Sequence, residues 1–182
     1  MVFRTVYKTP DAFSDMILES DGEFLTGLWF EDPPDSGKAE RKGGKSCETI
    51  CQKPDQADDQ SIHPVFAEAV RWLDIYFSGR DPGFTPAYDL SSLTLFQKSV
   101  TDIMLKIPFG KTTTYGKIAS EIALEKGIPK MSAQAVGGAV GRNPICLIIP
   151  CHRVIGSDGS LIGYGGGLSN KEALLRHEGA LG

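Results

Sequence analysis

The stretch that decides the fold runs from Thr114 to Gly141 and reads TYGKIASEIALEKGIPKMSAQAVGGAVG. Thr114 can cap a helix over Tyr115 to about Lys126, with Ile118, Ala119 and Ile122 turned inward. Gly127-Ile128-Pro129 then forms a turn. Ser132 can cap a second short helix, Ala133 to about Gly141. Two short helices joined by a tight, glycine-containing turn match the helix-turn-helix arrangement of DNA-binding proteins. The same arrangement also serves as plain packing.

The second helix contains Gly137, Gly138 and Gly141. Each glycine in a helix costs roughly 1 kcal/mol relative to alanine. A helix that tolerates this needs a nearly bare face, either to pack closely on another helix or to approach a nucleic-acid backbone. It lacks long basic side chains, so it is poorly built to read a major groove through arginine–guanine bonds. A smooth helix lying in a minor groove fits better.

Working outward toward the N-terminus, Ser92 can cap a helix in which Leu93, Phe96, Val100, Ile103, Met104 and Ile107 share a face, ended by Pro108-Phe109-Gly110. A further helix starts at Pro64, with Phe66, Ala69, Val70, Leu73, Tyr76 and Phe77 on one face and Gly79 at its stop. Short strands are predicted over Val2–Tyr7, Ala12–Glu19 and Glu23–Phe30, separated by turn residues, which suggests an antiparallel meander. The polar segment 32–62 is expected to be a partly mobile loop. It carries Cys47 and Cys51, but a C-x3-C spacing with one distant histidine, His63, is a weak zinc signal, and no metal or cofactor is expected. The expected division is an N-terminal α/β domain over 1–89 and a C-terminal domain over 90–182.

Toward the C-terminus, the apolar run Cys146–Ile149 reads as a strand that Pro150 ends. Cys151 then stands at a strand end beside His152, a base or proton relay near neutral pH. Alone, the pair reads more readily as a small buried core residue and a loop residue, and it is the surrounding motifs that reverse this.

Composition sets the outer limits. A hydrophobic share of 41% and a charged share of 23% are ordinary for a soluble globular protein. No secretory leader and no membrane-spanning stretch is evident, so a cytoplasmic protein without membrane partners is expected. Residues 1–90 carry 9 basic and 17 acidic side chains, a net of −8, whereas 91–182 carry 10 and 6, a net of +4. The acidic total argues against indiscriminate coating of nucleic acid, but the basic half permits a local phosphate-binding face.

Taken together, Pro150-Cys151-His152-Arg153-Val154, Ala135-Val136-Gly137-Gly138-Ala139, Arg142-Asn143-Pro144, Gly163-Tyr164 and the tail Lys171-Glu172 with Leu174-Leu175-Arg176-His177-Glu178-Gly179 resemble the O6-alkylguanine-DNA alkyltransferases. The resemblance is strong from about Leu93 to Gly182 and weaker over the N-terminal strands. It implies a ribonuclease H-like N-terminal unit, a small antiparallel sheet with a helix. It also implies a mostly helical, winged-helix-like C-terminal domain. By the same resemblance Cys151 irreversibly accepts an alkyl group from O6-alkylguanine, and from O4-alkylthymine, in duplex DNA after base flipping. His152 takes the thiol proton through a water, Glu178 orients His152, Asn143 braces the turn before the active segment, and Tyr115 protonates the leaving guanine. Ala133, Gln134, Ala135, Gly137, Gly138 and Arg142 contact the minor groove, and Val140, Val154, Tyr164 and Gly165 line the base pocket. The expected partner is double-stranded DNA bound by a monomer. Gln134 stands where relatives often place an arginine. A lesion sensor that does not repair, a cysteine hydrolase using Cys151 and His152, and a non-catalytic helix-turn-helix regulator remain alternatives at this point.

Overall fold

The computed structural model describes residues 1–31 and 63–181. The expectations for 32–62, with Cys47 and Cys51, lie outside the described residues. Three strands, β1 (Phe3–Tyr7), β2 (Met16–Ser20) and β3 (Leu25–Phe30), form an antiparallel sheet in the order β1-β2-β3. The meander is as anticipated, but β2 starts later than Ala12. Residues 10–13 turn instead, closed by the Phe13 N–H on the Pro10 carbonyl at 2.9 Å. Met16 and Leu18 alternate inward along β2, as do Leu28 and Phe30 along β3, and Leu25 returns to that face through the register shift at Glu19/Ser20. One face of the sheet is therefore buried.

Helix α1 (Pro64–Phe77) packs on that face. Proline in its first turn loses no hydrogen bond, because those N–H groups have no partner within a helix. Its buried stripe is Phe66, Ala69, Trp72, Leu73 and Tyr76. The expected Val70 and Phe77 are only partly covered, and Trp72 takes the inward place.

Helix α2 (Leu95–Met104) is capped by Thr94, not Ser92. The Thr94 side chain accepts from the Gln97 N–H, and the Gln97 side chain accepts from the Thr94 N–H, a reciprocal pair that Ser92 with Leu95 cannot form. A two-residue strand β4 (Thr113–Thr114) leads into α3 (Tyr115–Glu125), and Thr114 caps it as expected by accepting from Lys117 N–H. Ser132 caps α4 (Ala133–Val140) the same way through Ala135 N–H. The turn between them bends at Gly127, whose φ of 62° suits glycine. The two-helix unit read from Thr114 to Gly141 is therefore present, with α2 packed against both helices.

The run Cys146–Ile149 is not a strand. Leu147 takes a left-handed φ of 69°, and the segment folds back on itself through Ile148 N–H to Cys146 O at 2.9 Å and Ile149 N–H to Ile145 O at 3.1 Å. Its apolar residues are buried because the loop is packed inside the molecule, a pattern that cannot be told from a strand by hydrophobicity alone. A 3-10 turn over Cys151–Arg153 follows, then β5 (Val154–Ile155), which pairs parallel with β4, and finally α5 (Leu168–His177).

The halves are joined through the backbone. Leu28 N–H donates to Pro144 O at 2.9 Å, and Cys146 N–H donates to Leu28 O at 2.8 Å. One buried apolar cluster runs from Met16 in the sheet through Tyr76 and Ile118 to Leu174 in α5. Among the described residues no helix is long and apolar enough to cross a membrane.

Candidate active site

Asn143 follows α4 and is buried. Its Oδ1 accepts from Ile145 N–H at 3.0 Å, while its Nδ2 donates to Ile149 O at 2.8 Å and to the Cys151 sulfur at 3.0 Å. One amide thus closes the loop and grips the thiol at its far end. The backbone adds Cys151 N–H to Ile149 O at 2.8 Å. The sulfur is held by this loop and the 3-10 turn, not by a strand end.

Cys151 is buried, and its thiol is nonetheless held below the usual range. The Cys146 side chain, hydrogen-bonded to it, lowers it most; burial opposes; Asn143 and the positive charge of Lys171 lower it further. Hydrogen bonds and a nearby cation favour the thiolate, which is the nucleophilic form.

His152 and Glu178 are both buried, and His152 Nε2 lies 2.7 Å from Glu178 Oε1. Burial on its own would raise the Glu178 carboxyl. His152 by hydrogen bond and charge, then Arg153 likewise, overcome that and hold it at about 2. The carboxylate is crowded with donors. Oε1 also accepts from the Tyr76 hydroxyl at 2.7 Å and Arg153 Nη2 at 3.0 Å, and Oε2 accepts from Arg153 Nε at 2.9 Å and Gly110 N–H at 3.1 Å. An ionised carboxylate only accepts, so His152 must donate from Nε2. Burial keeps His152 below its ordinary range and hence neutral near pH 7, against the pull of Glu178. The neutral ring then leaves Nδ1 as a bare acceptor, and Nδ1 has no hydrogen-bond partner among the described residues.

Tyr115, first residue of α3, donates from its hydroxyl to Ile162 O at 2.8 Å. Burial and the charge of Cys151 push the phenol up to about 12, so it stays protonated. The same carbonyl accepts from Lys171 Nζ at 2.7 Å, and Lys171 also donates to Val154 O at 2.7 Å. Lys171 is lowered to about 8 by burial, against the Cys151 charge that supports its protonated form. Gly163, next in the loop, has a φ of 66°, and a side-chain carbon there would sit 3.0 Å from the Tyr115 hydroxyl. The tyrosine and loop fit closely because that residue is glycine.

The anticipated residues therefore fall into two groups. Cys151 with Asn143 and His152 with Glu178 form two buried hydrogen-bonded pairs that meet at the neighbouring residues Cys151 and His152, while Tyr115 shares the Ile162 carbonyl with Lys171, whose charge acts on Cys151. Val140 and Val154 are buried too, Tyr164 lies buried with burial and then the Cys146 and Cys151 sulfurs raising its phenol, and Gly165 is exposed. The second group lies outward. Ala133, Gln134, Ala135, Gly138 and Arg142 are exposed, while Val136 and Ala139 face the core. Arg142 folds back so that Nη1 donates to Gly138 O at 3.1 Å. Gly137 faces Tyr115, but a side-chain carbon there would stand 3.8 Å from that ring, an ordinary contact, and at Gly138 it would meet only Arg142 at 3.5 Å. Internal packing does not require either glycine.

Four participants had no assigned role in the sequence: Tyr76, Arg153, Lys171 and Cys146. Arg153 and Lys171 stood inside the quoted motifs, and a cation next to a candidate nucleophile was the available signal. Tyr76 looked like any core position of an amphipathic helix.

Fold and site together define a helix-turn-helix protein built around a buried, hydrogen-bonded thiol with a histidine–carboxylate pair behind it. The family model "6-O-methylguanine DNA methyltransferase, DNA binding domain" matches residues 95–180. A methylated-DNA–protein-cysteine methyltransferase of Mycobacterium leprae is 51% identical over 63% of this chain and 66% of its own length, just under two thirds. The Haemophilus influenzae protein of the same name is 33% identical over 97% of this chain and 86% of its own. The crystal structure of Mycobacterium tuberculosis OGT in complex with DNA superposes with a TM-score of 0.70 at 33% identity, covering 98% of this chain and 93% of that one. The O6-methylguanine-DNA methyltransferase of Pyrococcus kodakaraensis, at 24% identity and a TM-score of 0.60, shares the fold. The chain belongs to the methylated-DNA–protein-cysteine methyltransferase family.

Proposed function

We propose that this protein repairs alkylated DNA by moving the alkyl group of O6-alkylguanine, and of O4-alkylthymine, onto Cys151, one lesion per protein molecule. The observation that carries the reading is a Cys151 sulfur held by Asn143 Nδ2, next to a His152 whose Nε2 is engaged by Glu178 and whose Nδ1 has no hydrogen-bond partner among the described residues. The Cys151 proton passes to His152 Nδ1 through a water. The thiolate attacks the alkyl carbon, an S–C bond forms, and the C–O6 bond breaks. The electron pair leaves on guanine, which takes a proton from the Tyr115 hydroxyl. Glu178 stays ionised throughout and supports the imidazolium. The product is a thioether, which water does not cleave, so Cys151 is not regenerated.

A base within a duplex does not reach a buried sulfur, so the target nucleotide is flipped out. The exposed, nearly bare face of α4 supports close approach to a minor groove, with Gln134 in the gap left by the base and Ala133, Ala135, Gly137, Gly138 and Arg142 along the backbone. Val140, Val154, Tyr164 and Gly165 then wall the base. The protein acts as a monomer in the cytoplasm.

The test is to incubate the protein with duplex DNA containing O6-methylguanine, take its intact mass and map the adduct. The expected result is one methyl on Cys151 and unmodified guanine in the DNA. Protein that binds the lesion and stays unmodified would make it a sensor, and turnover of a thioester without methyl uptake would make it a hydrolase.

A further inference from the structure

The site contains a group from the N-terminal half. Tyr76 lies in the last turn of α1, is fully buried, and points its hydroxyl at Glu178 Oε1, 2.7 Å away. The Tyr76 hydroxyl oxygen also lies 3.5 Å from His152 Nε2. Tyr76 therefore shares with His152 the one carboxylate oxygen on which the imidazole depends. Its main chain makes a second attachment: the Tyr76 carbonyl lies 2.8 Å from His177 Nε2. One residue of α1 thus holds both His177 and Glu178, the end of α5. The ring itself is fixed by Trp72, stacked at 5.3 Å, and by Phe109, edge-on at 5.8 Å.

We propose that Tyr76 is a positioning residue for alkyl transfer: its hydroxyl holds Glu178 in line with His152 and, by taking up part of the carboxylate's charge, sets how readily His152 accepts the Cys151 proton. The inference rests on His152 serving as that proton acceptor. A hydroxyl donating to a carboxylate withdraws negative charge from it, so the carboxylate stabilises a neighbouring imidazolium less. Arg153 does the same from the 3-10 turn with a full charge, Gly110 N–H from the segment after α2, and the positive charge of Lys171 from α5 opposes imidazolium directly. Tyr76 is the one participant carried by α1. Its phenol is pushed well above its ordinary range by burial and by Glu178, so it donates at every working pH.

Tyr76→Phe removes the hydroxyl and keeps the ring. The His152 imidazole is then titrated by nitrogen NMR in the full chain without DNA, and the methyl-transfer rate from O6-methylguanine duplex is measured against pH. Expected is a rise in the His152 midpoint of about half a pH unit, roughly a threefold change in proton affinity, with the acid limb of the rate profile moving the same way. Affinity for unmodified duplex should stay within about twofold, since Tyr76 touches no DNA-facing element. Placing 3-fluorotyrosine at position 76, a stronger donor with the same ring, should move both curves the opposite way, and it decides the matter if the phenylalanine variant does not fold. Either curve superimposing on the wild type, or moving with the wrong sign, overturns the proposal. A wild-type protein that takes no methyl on Cys151 would instead overturn the function proposed above, while the imidazole titration still judges Tyr76.

Discussion

Glu178 concentrates the residue-scale energetics. It is buried, and its carboxylate receives donors from three side chains and one backbone amide. Its folded-state value of about 2 lies below the ordinary 4.5. A depressed carboxyl stabilises the folded state above its unfolded value and loses that contribution as pH falls through the folded one. The contribution, on the order of 3 kcal/mol, should be present above about pH 4.5 and disappear between there and about pH 2, as followed by denaturant midpoints across that range. Glu178→Gln removes the charge and leaves Arg153, 2.9 Å away, buried without its counter-ion. A loss of about 3–5 kcal/mol in unfolding free energy is expected by urea titration, together with slower methyl transfer. The partners Cys151, His152, Asn143 and Glu178 were legible because they sit in motifs whose residue types suit the chemistry. Tyr76 was not, because it lies 102 residues from Glu178 and nothing local distinguishes an inward tyrosine that packs from one that also donates.

At the scale of elements, α4 is the informative case. Its glycines weaken the helix, and neither Gly137 nor Gly138 is required by an internal contact. Gly138→Ala should stabilise the protein by up to about 1 kcal/mol in thermal unfolding and, if the exposed face of α4 meets DNA as proposed, at the same time weaken duplex binding. A stabilised variant with unchanged affinity would remove α4 from the interface. Thr94→Ala should cost about 1 kcal/mol by loss of the reciprocal cap on α2, whereas Ser92→Ala should cost little. The caps at Thr114 and Ser132 were readable because each precedes a clear apolar period. The Thr94 cap was readable too, in the Gln97 three residues on, a sign that Ser92 lacks. The loop over Cys146–Ile149 was not readable, since burial from every side erases the alternation that separates strand from coil; the left-handed Leu147 and the fold-back hydrogen bonds mark the difference.

For the molecule as a whole, charge and connectivity matter most. The N-terminal half is acidic and the C-terminal half basic, so the C-terminal half should lead in approaching DNA. Gln134→Arg should tighten duplex binding and steepen its salt dependence by about one released counter-ion, read from affinities at several salt concentrations. Equal affinity at all of them would count against Gln134 occupying the gap left by the flipped base.

The joining of the halves has a consequence for how the protein comes to life. The helices can form locally, but the thiol is braced by a loop that pairs with Leu28, and the relay is closed by Tyr76. Both closures span long stretches of chain, and such contacts come late because their loop entropy must first be overcome. In a refolding experiment, helical signal should return ahead of the ability to take a methyl group. A fluctuation that lifts α1 from α5 would release Glu178 from Tyr76 and change how readily His152 takes the thiol proton, while α2, α3 and α4 keep their own packing.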